Sequence, residues 1–308
     1  MPARVALLPA GERPWLAEAI EAGGGEVVDS AAAEGLVWAT PGDADGLAAA
    51  LAAAPSVRWV QLPWAGVEPF AGLLADEAAA GERVWASGKG VYAEPVAEMA
   101  LALGLAGLRN VAGYARATSW GPPEGTMLHG ARVAVLGGGG ITEVLLRLLA
   151  PFGASVTVVR RRPAPMDGAT RVVGADRLTA ALTGADLVVL ALALTKETVG
   201  VIGAEQFELM EPHAWLVNVA RGRHVVTDDL VVALRKGDIG GAALDVTDPE
   251  PLPADHPLWA FPNCVITPHV GNTPEMAVPL LSARVTENVR RWAAGEPLVG
   301  LIDLALGY

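Results

Sequence analysis

Three residues with reactive or charged side chains each follow an apolar stretch by a few positions: Arg221, Glu250 and His269. The apolar stretches are typical of strands in a parallel sheet, whose carboxyl ends meet at one edge. A histidine beside a carboxylate can deliver a proton there, and an arginine can hold a carboxylate and polarise the adjacent carbonyl. Together they predict a site that protonates a carbonyl oxygen during reduction by hydride. Taken singly, Arg221 also fits an ion pair, Glu250 a surface turn and His269 a core histidine.

A glycine cluster earlier in the chain predicts where the hydride donor binds. A β-branched strand pattern leads into four successive glycines, which open an apolar helical run. Gly137 and Gly139 fit the first two positions of the dinucleotide fingerprint, where glycine permits a tight turn and close approach of a pyrophosphate. The helix start at Gly140 and Ile141 offers N–H groups to the anion. The third position holds Thr142, which predicts a different local fit between helix and strand.

The end of the second strand of this unit indicates which nicotinamide cofactor is bound. An NAD site usually has an acidic residue there, which bonds the ribose 2′-hydroxyl. This chain has Arg160, Arg161 and Arg162. Guanidinium groups can bind a 2′-phosphate bidentately, so NADP(H) is the predicted preference. A solvated basic turn is the alternative interpretation.

Strand and helix patterns alternate along the whole chain. This predicts an α/β protein of two Rossmann-like or flavodoxin-like domains, each a doubly wound parallel sheet, with a cleft between them. Residues 1–93 with 276–308 are expected to form the substrate domain, because no glycine-rich loop follows its first strand. Residues 94–275 are expected to form the dinucleotide-binding domain. One long helix, roughly 94–117, is predicted as the connector.

Composition narrows the class of protein. The 308 residues carry a formal net charge of −12, which argues against a general nucleic-acid or anionic-membrane binder. An anionic substrate would therefore need a local basic pocket. Cys264 is the only cysteine, so no intrachain disulfide is expected. The sequence shows no signal-peptide core, no membrane-length apolar run and no metal-ligand spacing. We expect a cytoplasmic protein without a metal.

Four segments carry a resemblance to the D-isomer-specific 2-hydroxyacid dehydrogenase family: residues 133–142, 218–222, 245–252 and 267–269. The similarity covers nearly the whole chain. Within the family, residues 214–269 and the closing Gly307-Tyr308 resemble the shorter glyoxylate/hydroxypyruvate reductases. The resemblance implies NAD(P)H-dependent reduction of a small anionic 2-oxo acid to the D-2-hydroxy acid. Those reductases favour NADPH, in agreement with the arginines, and NAD(H) is the alternative cofactor.

The resemblance also implies roles for individual residues. Arg221 would bind the substrate and polarise its carbonyl, and His269, tuned by Glu250, would donate the proton. Backbone groups around Ala65 and Gly66 would bind the substrate carboxylate. The remaining implied positions contact the cofactor, and they are Leu194, Thr195, Val219, Ala220, Asp245, His269 and Gly271.

Further implications concern assembly and departures from the family pattern. Relatives are usually homodimers joined through the nucleotide domain, and the same is expected here. Met99 stands where many relatives carry histidine, which removes one peripheral polar contact. His224, close to Arg221 in sequence, is a weaker candidate for the same sheet edge.

Two other functions remain open. One is an NAD-linked 2-hydroxyacid dehydrogenase of a larger substrate, such as phosphoglycerate. The other is a dinucleotide-sensing binding protein, like the corepressors related to this family. The complete set of Arg221, Glu250 and His269 argues against a loss of catalysis.

Overall fold

The computed structural model describes residues 2–81 and 83–308. The chain divides into two compact units, one comprising Met1–Tyr92 with Thr273–Tyr308 and the other Ala93–Asn272. Each unit is a parallel sheet covered by helices. The predicted α/β class with two doubly wound sheets is therefore confirmed. Among the described residues, no helix has both the length and the apolar content that crossing a membrane requires.

The first unit contains a five-stranded sheet of order β2-β1-β3-β4-β5. Its elements are β1 (Ala3–Leu8), α1 (Trp15–Ala22), β2 (Gly25–Val27), β3 (Gly35–Trp38), α2 (Ala44–Ala53), β4 (Trp59–Gln61), α3 (Ala71–Ala80), β5 (Val84–Ala86) and, from the end of the chain, α10 (Pro274–Ala294). Helices α1 and α10 pack on one face, and α2 and α3 pack on the other. The central strand β3 is consequently buried along its whole length.

The second unit contains a seven-stranded sheet of order β12-β11-β10-β9-β6-β7-β8. Its elements are α4 (Ala93–Leu108), α5 (Val111–Arg116), β6 (Arg132–Leu136), α6 (Gly140–Leu149), β7 (Ser155–Val159), β8 (Arg171–Val173), α7 (Leu178–Leu182), β9 (Leu187–Leu190), α8 (Ala204–Leu209), β10 (Trp215–Asn218), α9 (Thr227–Lys236), β11 (Gly241–Leu244) and β12 (Cys264–Ile266). Helices α4 and α6 cover one face, and α7, α8 and α9 cover the other. The inner strands β9, β10 and β11 are wholly buried.

The predicted single helix over residues 94–117 is wrong. The structure has two helices, α4 and α5, with Asn110 between them in a left-handed conformation (φ 48°). Asparagine adopts this conformation more readily than most residues, which allows the chain to turn. The apolar pattern continues through the break, so periodicity alone does not reveal it.

Candidate active site

The candidate site lies at the carboxyl edge of three neighbouring strands in the second unit. Strands β10, β11 and β12 pair in parallel, with Asn218 opposite Leu244 and Leu244 opposite Ile266. The three strands therefore end at the same level. The loops that carry Arg221, Glu250 and His269 leave the sheet side by side, as the sequence predicts.

His269 and Glu250 form a hydrogen-bonded pair. The His269 Nδ1 lies 2.7 Å from Oε1 of Glu250. The second carboxylate oxygen accepts a longer bond, 3.4 Å, from the backbone N–H of Thr247. The two side chains are 51% and 42% exposed, so a ligand can approach them. Because Glu250 occupies Nδ1, Nε2 is the ring nitrogen that can serve a reacting group.

Asp245 anchors the turn that carries His269. Its carboxylate is buried and accepts bonds from the Thr267 hydroxyl (2.5 Å) and from the backbone N–H groups of Val270 (3.0 Å) and Gly271 (2.8 Å). The backbone N–H of His269 donates to the Asp245 carbonyl at 2.8 Å. These bonds hold His269 in a left-handed conformation, φ 54°, that is uncommon for a residue with a side chain. The resemblance assigns Asp245 and Gly271 to the cofactor, and the structure places both in the support of this turn.

The turn that carries Arg221 is shaped by Asn218, a buried residue at the end of β10. The Asn218 Oδ1 accepts from the backbone N–H of Ala220 (3.0 Å), and its Nδ2 donates to the Arg221 carbonyl (2.9 Å). The Arg221 guanidinium donates to the Ala220 carbonyl at 2.7 Å. Arg221 is half-buried, while Val219 and Ala220 are buried. The turn therefore contributes one hydrogen bond that orients the guanidinium.

Gly222 brings the loop of Arg221 against the loop of Glu250. A Cβ atom at Gly222 would lie 1.9 Å from the carbonyl oxygen of Thr247 and 2.6 Å from the backbone nitrogen of Asp248. No side chain fits in that space. This close backbone contact joins the arginine turn directly to the segment that carries the carboxylate.

The glycine cluster forms a close turn that leads into α6. Gly137 has φ 113°, and a Cβ there would lie 2.1 Å from the Ala191 carbonyl oxygen. A Cβ at Gly139 would meet no atom within 4 Å, so the start of α6 at Gly140 is open to a ligand. Thr142 is buried, and its hydroxyl donates to the Gly137 carbonyl at 2.9 Å. The Thr142 side chain thus braces the glycine turn.

The arginines after β7 occupy different positions. The Arg160 side chain runs over the glycine turn, because a Cβ at Gly138 would lie 2.7 Å from its Cδ. Arg161 lines a groove of about 600 Å³ beside β8, together with Arg171 and Arg177. Asp176 also lines the groove, so a phosphate bound there would meet guanidinium groups beside one carboxylate.

His224 contacts the loop that follows β9 and holds it in place. The His224 ring is wholly buried, with Nδ1 2.9 Å from the Thr198 carbonyl oxygen and Nε2 3.2 Å from the Leu192 carbonyl oxygen. Leu194 and Thr195 lie between those two contacts and are half-buried. His224 therefore supports this loop with a buried ring.

The implied carboxylate-binding turn belongs to the first unit. The Trp64 carbonyl accepts from the N–H of Gly88 (2.9 Å), and the Pro63 carbonyl accepts from the Tyr92 hydroxyl (2.8 Å). Burial raises the pKa of Tyr92, so the phenol remains a neutral donor. The following residues Ala65 and Gly66 are exposed and half-buried, respectively. These two hydrogen bonds hold the residues that directly precede Ala65 and Gly66, whose backbone is expected to bind the substrate.

The single cysteine and the possible metal ligands in the described part of the chain do not form a further site. Burial raises the pKa of the Cys264 thiol to about 12, so this side chain is not a thiolate nucleophile. No cluster of three or more His, Cys, Asp or Glu side chains within residues 2–81 and 83–308 has the arrangement of a metal site.

Reasoning from sequence missed three residues that support the site, namely Asn218, Thr267 and Gly222. Asn218 and Thr267 carry polar side chains at the ends of apolar strands, and this was a usable signal. Gly222 gives no such signal, because glycine is required there by a close contact with Thr247, which is distant in sequence.

Comparison with known proteins identifies relatives of this chain. An uncharacterized protein of Corynebacterium melassecola is 40% identical over 261 residues, which is 82% of this chain and 84% of that protein. Glyoxylate/hydroxypyruvate reductase A of Yersinia enterocolitica is 34% identical over 191 residues, 61% of this chain and 60% of the reductase. The match thus spans less than two thirds of the reductase. A D-isomer-specific 2-hydroxyacid dehydrogenase from Xanthobacter autotrophicus Py2, solved with NADPH and MES, superposes over 100% of both chains with a TM-score of 0.84 and 27% identity.

A family model provides the assignment. The model of the D-isomer-specific 2-hydroxyacid dehydrogenase NAD-binding domain matches residues 98–271. This stretch lies within the second unit and includes the glycine turn, Arg221, Glu250 and His269. The chain therefore belongs to the D-isomer-specific 2-hydroxyacid dehydrogenase family of oxidoreductases.

Proposed function

We propose that this enzyme reduces a small 2-oxo acid of the glyoxylate/hydroxypyruvate type to the D-2-hydroxy acid, with NADPH as the preferred reductant. The observation that carries the proposal is the 2.7 Å contact of His269 with Glu250, on the strand edge that also carries Arg221. The Yersinia relative bears the name of this activity, which supports the choice of substrate.

In this proposal each residue has one task. When bound, NADPH supplies the hydride to the carbonyl carbon of the substrate. Arg221 holds the substrate carboxylate and polarises the carbonyl. In the first unit, backbone N–H groups of Ala65 and Gly66 are candidate donors to a carboxylate. His269 gives the proton on Nε2 to the oxygen that becomes the hydroxyl. Glu250 keeps the orientation of the imidazole through its hydrogen bond with Nδ1.

The preference for NADPH rests on charge at the end of β7. Arg160 lies over the glycine turn, and Arg161 faces the groove that Arg171 and Arg177 also line. A 2′-phosphate carries negative charge that guanidinium groups bind well, while NADH has no group that needs them. The Xanthobacter relative was solved with NADPH, which agrees with this reading.

Assays with a panel of 2-oxo acids and both cofactors test the function. We expect turnover of glyoxylate and hydroxypyruvate, with kcat/KM for NADPH at least about tenfold above that for NADH, the gain of one charge-assisted contact. Arg161→Ala should reduce this ratio, because one guanidinium group of the groove is lost. Arg109→Ala, a change of an exposed arginine next to the end of α4, is the matched control.

Each contrary result points to a defined alternative. An NADH preference of tenfold or more would contradict the cofactor assignment. Activity confined to larger substrates would indicate a dehydrogenase of another substrate. Tight NADPH binding without turnover across the panel would favour the dinucleotide-sensing function.

We also propose a homodimer formed through the second unit. Between residues 109 and 130 this unit exposes large apolar side chains, namely Val111, Tyr114, Trp120 and Met127. Trp120 is fully exposed, and such a grouping on one segment is typical of an interface with another chain. A second copy is the partner that the family resemblance implies.

Light scattering coupled to size exclusion tests the assembly. We expect the mass of a dimer for the unchanged protein and that of a monomer for Trp120→Glu with Met127→Glu, because two buried charges cannot be solvated. Trp259→Glu, at a tryptophan that is 49% exposed elsewhere in the same unit, should leave the mass unchanged. A monomeric wild-type protein would contradict the proposal.

A further inference from the structure

An unsatisfied acceptor lies three residues after the candidate proton donor. Among the described residues, buried side-chain polar atoms without a hydrogen-bond partner are Trp59 Nε1, Arg83 Nε and Asn272 Oδ1. Only Asn272 belongs to the unit that carries His269. A buried acceptor without a donor costs free energy, so its retention requires an explanation.

The backbone before Asn272 is held in place. The N–H of Gly271 donates to the buried Asp245 carboxylate at 2.8 Å. A Cβ at Gly271 would lie 3.0 Å from the same carboxylate and 3.6 Å from the Val96 side chain, so this residue fits closely between them. The carboxylate that supports the His269 turn thus also holds Gly271, the residue directly before Asn272.

The Asn272 side chain can rotate, although the backbone before it is held in place. Asn272 as a residue is only half-buried, although its Oδ1 is covered in this conformation. The χ2 torsion of asparagine has a broad range, so the amide can turn its oxygen toward an incoming donor. A ligand that offers an O–H or N–H near His269 would thus supply the bond that the protein does not.

We propose that Asn272 is a specificity-determining residue whose Oδ1 accepts a hydrogen bond from a hydroxyl group on C3 of the 2-oxo acid. This inference rests on the proposed function and narrows its substrate class. Hydroxypyruvate carries a C3 hydroxyl next to the carbonyl carbon, and glyoxylate has no such donor. A site with a buried acceptor favours the ligand that satisfies it over the analogue that leaves it unpaired. The substrate class is therefore a 3-hydroxy-2-oxo acid.

Hydroxypyruvate and pyruvate test the assignment, since they differ only in the C3 hydroxyl. We expect the unchanged enzyme to favour hydroxypyruvate in kcat/KM, and Asn272→Ala to reduce that preference by about tenfold, the worth of one hydrogen bond. Asn272→Asp keeps the acceptor but adds a charge. It should weaken binding of both anionic substrates while retaining most of the preference between them.

Asn263→Ala is the matched control. Asn263 precedes β12 at the opposite end of the same strand, where its Nδ2 donates to the Gly240 carbonyl at 2.9 Å. Loss of that amide should leave the preference for hydroxypyruvate unchanged. Thermal unfolding shows whether each variant is folded. The ratio of kcat/KM for the two substrates does not depend on the amount of folded enzyme, so a changed ratio reports a change in selectivity.

The outcomes separate this inference from the proposed function. Turnover of both acids without a preference for hydroxypyruvate, or a preference that survives in Asn272→Ala, would overturn the assignment and leave the reductase function standing. An equal rise in the KM for NADPH with both substrates would place the bond on the nicotinamide carboxamide and would also overturn it. Absence of turnover with every 2-oxo acid would contradict the function itself.

Discussion

Replacing His269 with glutamine is expected to lower kcat by about 10²–10⁴-fold while the affinity for NADPH stays near its original value. The glutamine amide takes the place of the His269 Nε2, the ring nitrogen that does not contact Glu250, but it cannot transfer a proton. The hydride acceptor would then take its proton from water, which is slower. Steady-state kinetics with hydroxypyruvate and fluorescence titration with NADPH measure the two quantities separately.

The chain contains a matched control for this substitution. His213 forms a second histidine–carboxylate pair with Asp186, also at 2.7 Å, but these residues precede β10 and β9 and lie at the amino edge of the sheet. His213→Gln should leave kcat unchanged. Turnover of His269→Gln close to that of the original protein would refute the role of His269 as the proton donor.

Gly222→Ala is expected to cause the second large effect, a loss of about 1–3 kcal/mol or more in the free energy of unfolding together with a fall in kcat/KM. The new Cβ would lie 1.9 Å from the Thr247 carbonyl oxygen, so the arginine turn and the carboxylate segment would have to separate. That separation displaces Arg221 relative to Glu250. Urea unfolding gives the stability, and kinetics with hydroxypyruvate give the activity.

Gly72→Ala provides the comparison, because a Cβ at Gly72 in α3 would meet no atom within 4 Å. This change should leave activity unchanged and stability equal or slightly higher, since alanine favours a helix over glycine. If Gly222→Ala behaved like Gly72→Ala, the close contact with Thr247 would not be a requirement of the fold.

The fold class and the edge that carries the candidate site could be predicted because both follow from local signals. Apolar strands that alternate with helices specify a doubly wound sheet, and such a sheet places the residues after its strands at one edge. Arg221, Glu250 and His269 are polar residues just beyond apolar strands, so their common location follows from topology. The glycine turn is predictable for the same reason.

The supporting contacts could not be predicted because they join residues far apart in sequence. The fit of Gly222 depends on Thr247, and the position of His269 depends on a carboxylate of the neighbouring strand end, Asp245. Thr142 looked like a departure from the glycine pattern, yet its hydroxyl closes the turn on Gly137. The break at Asn110 was hidden because the apolar pattern continues across it.

The attachment of the histidine turn to Asp245 has a consequence for how substrate range can change. The carboxylate bonds backbone N–H groups and one threonine hydroxyl, so these bonds do not involve the side chains of Val270 and Asn272. Substitutions at those two positions can alter what is recognised without relocating the acid. Selectivity and proton delivery are thereby separable. Single substitutions in this turn can produce new specificities while its backbone stays in place.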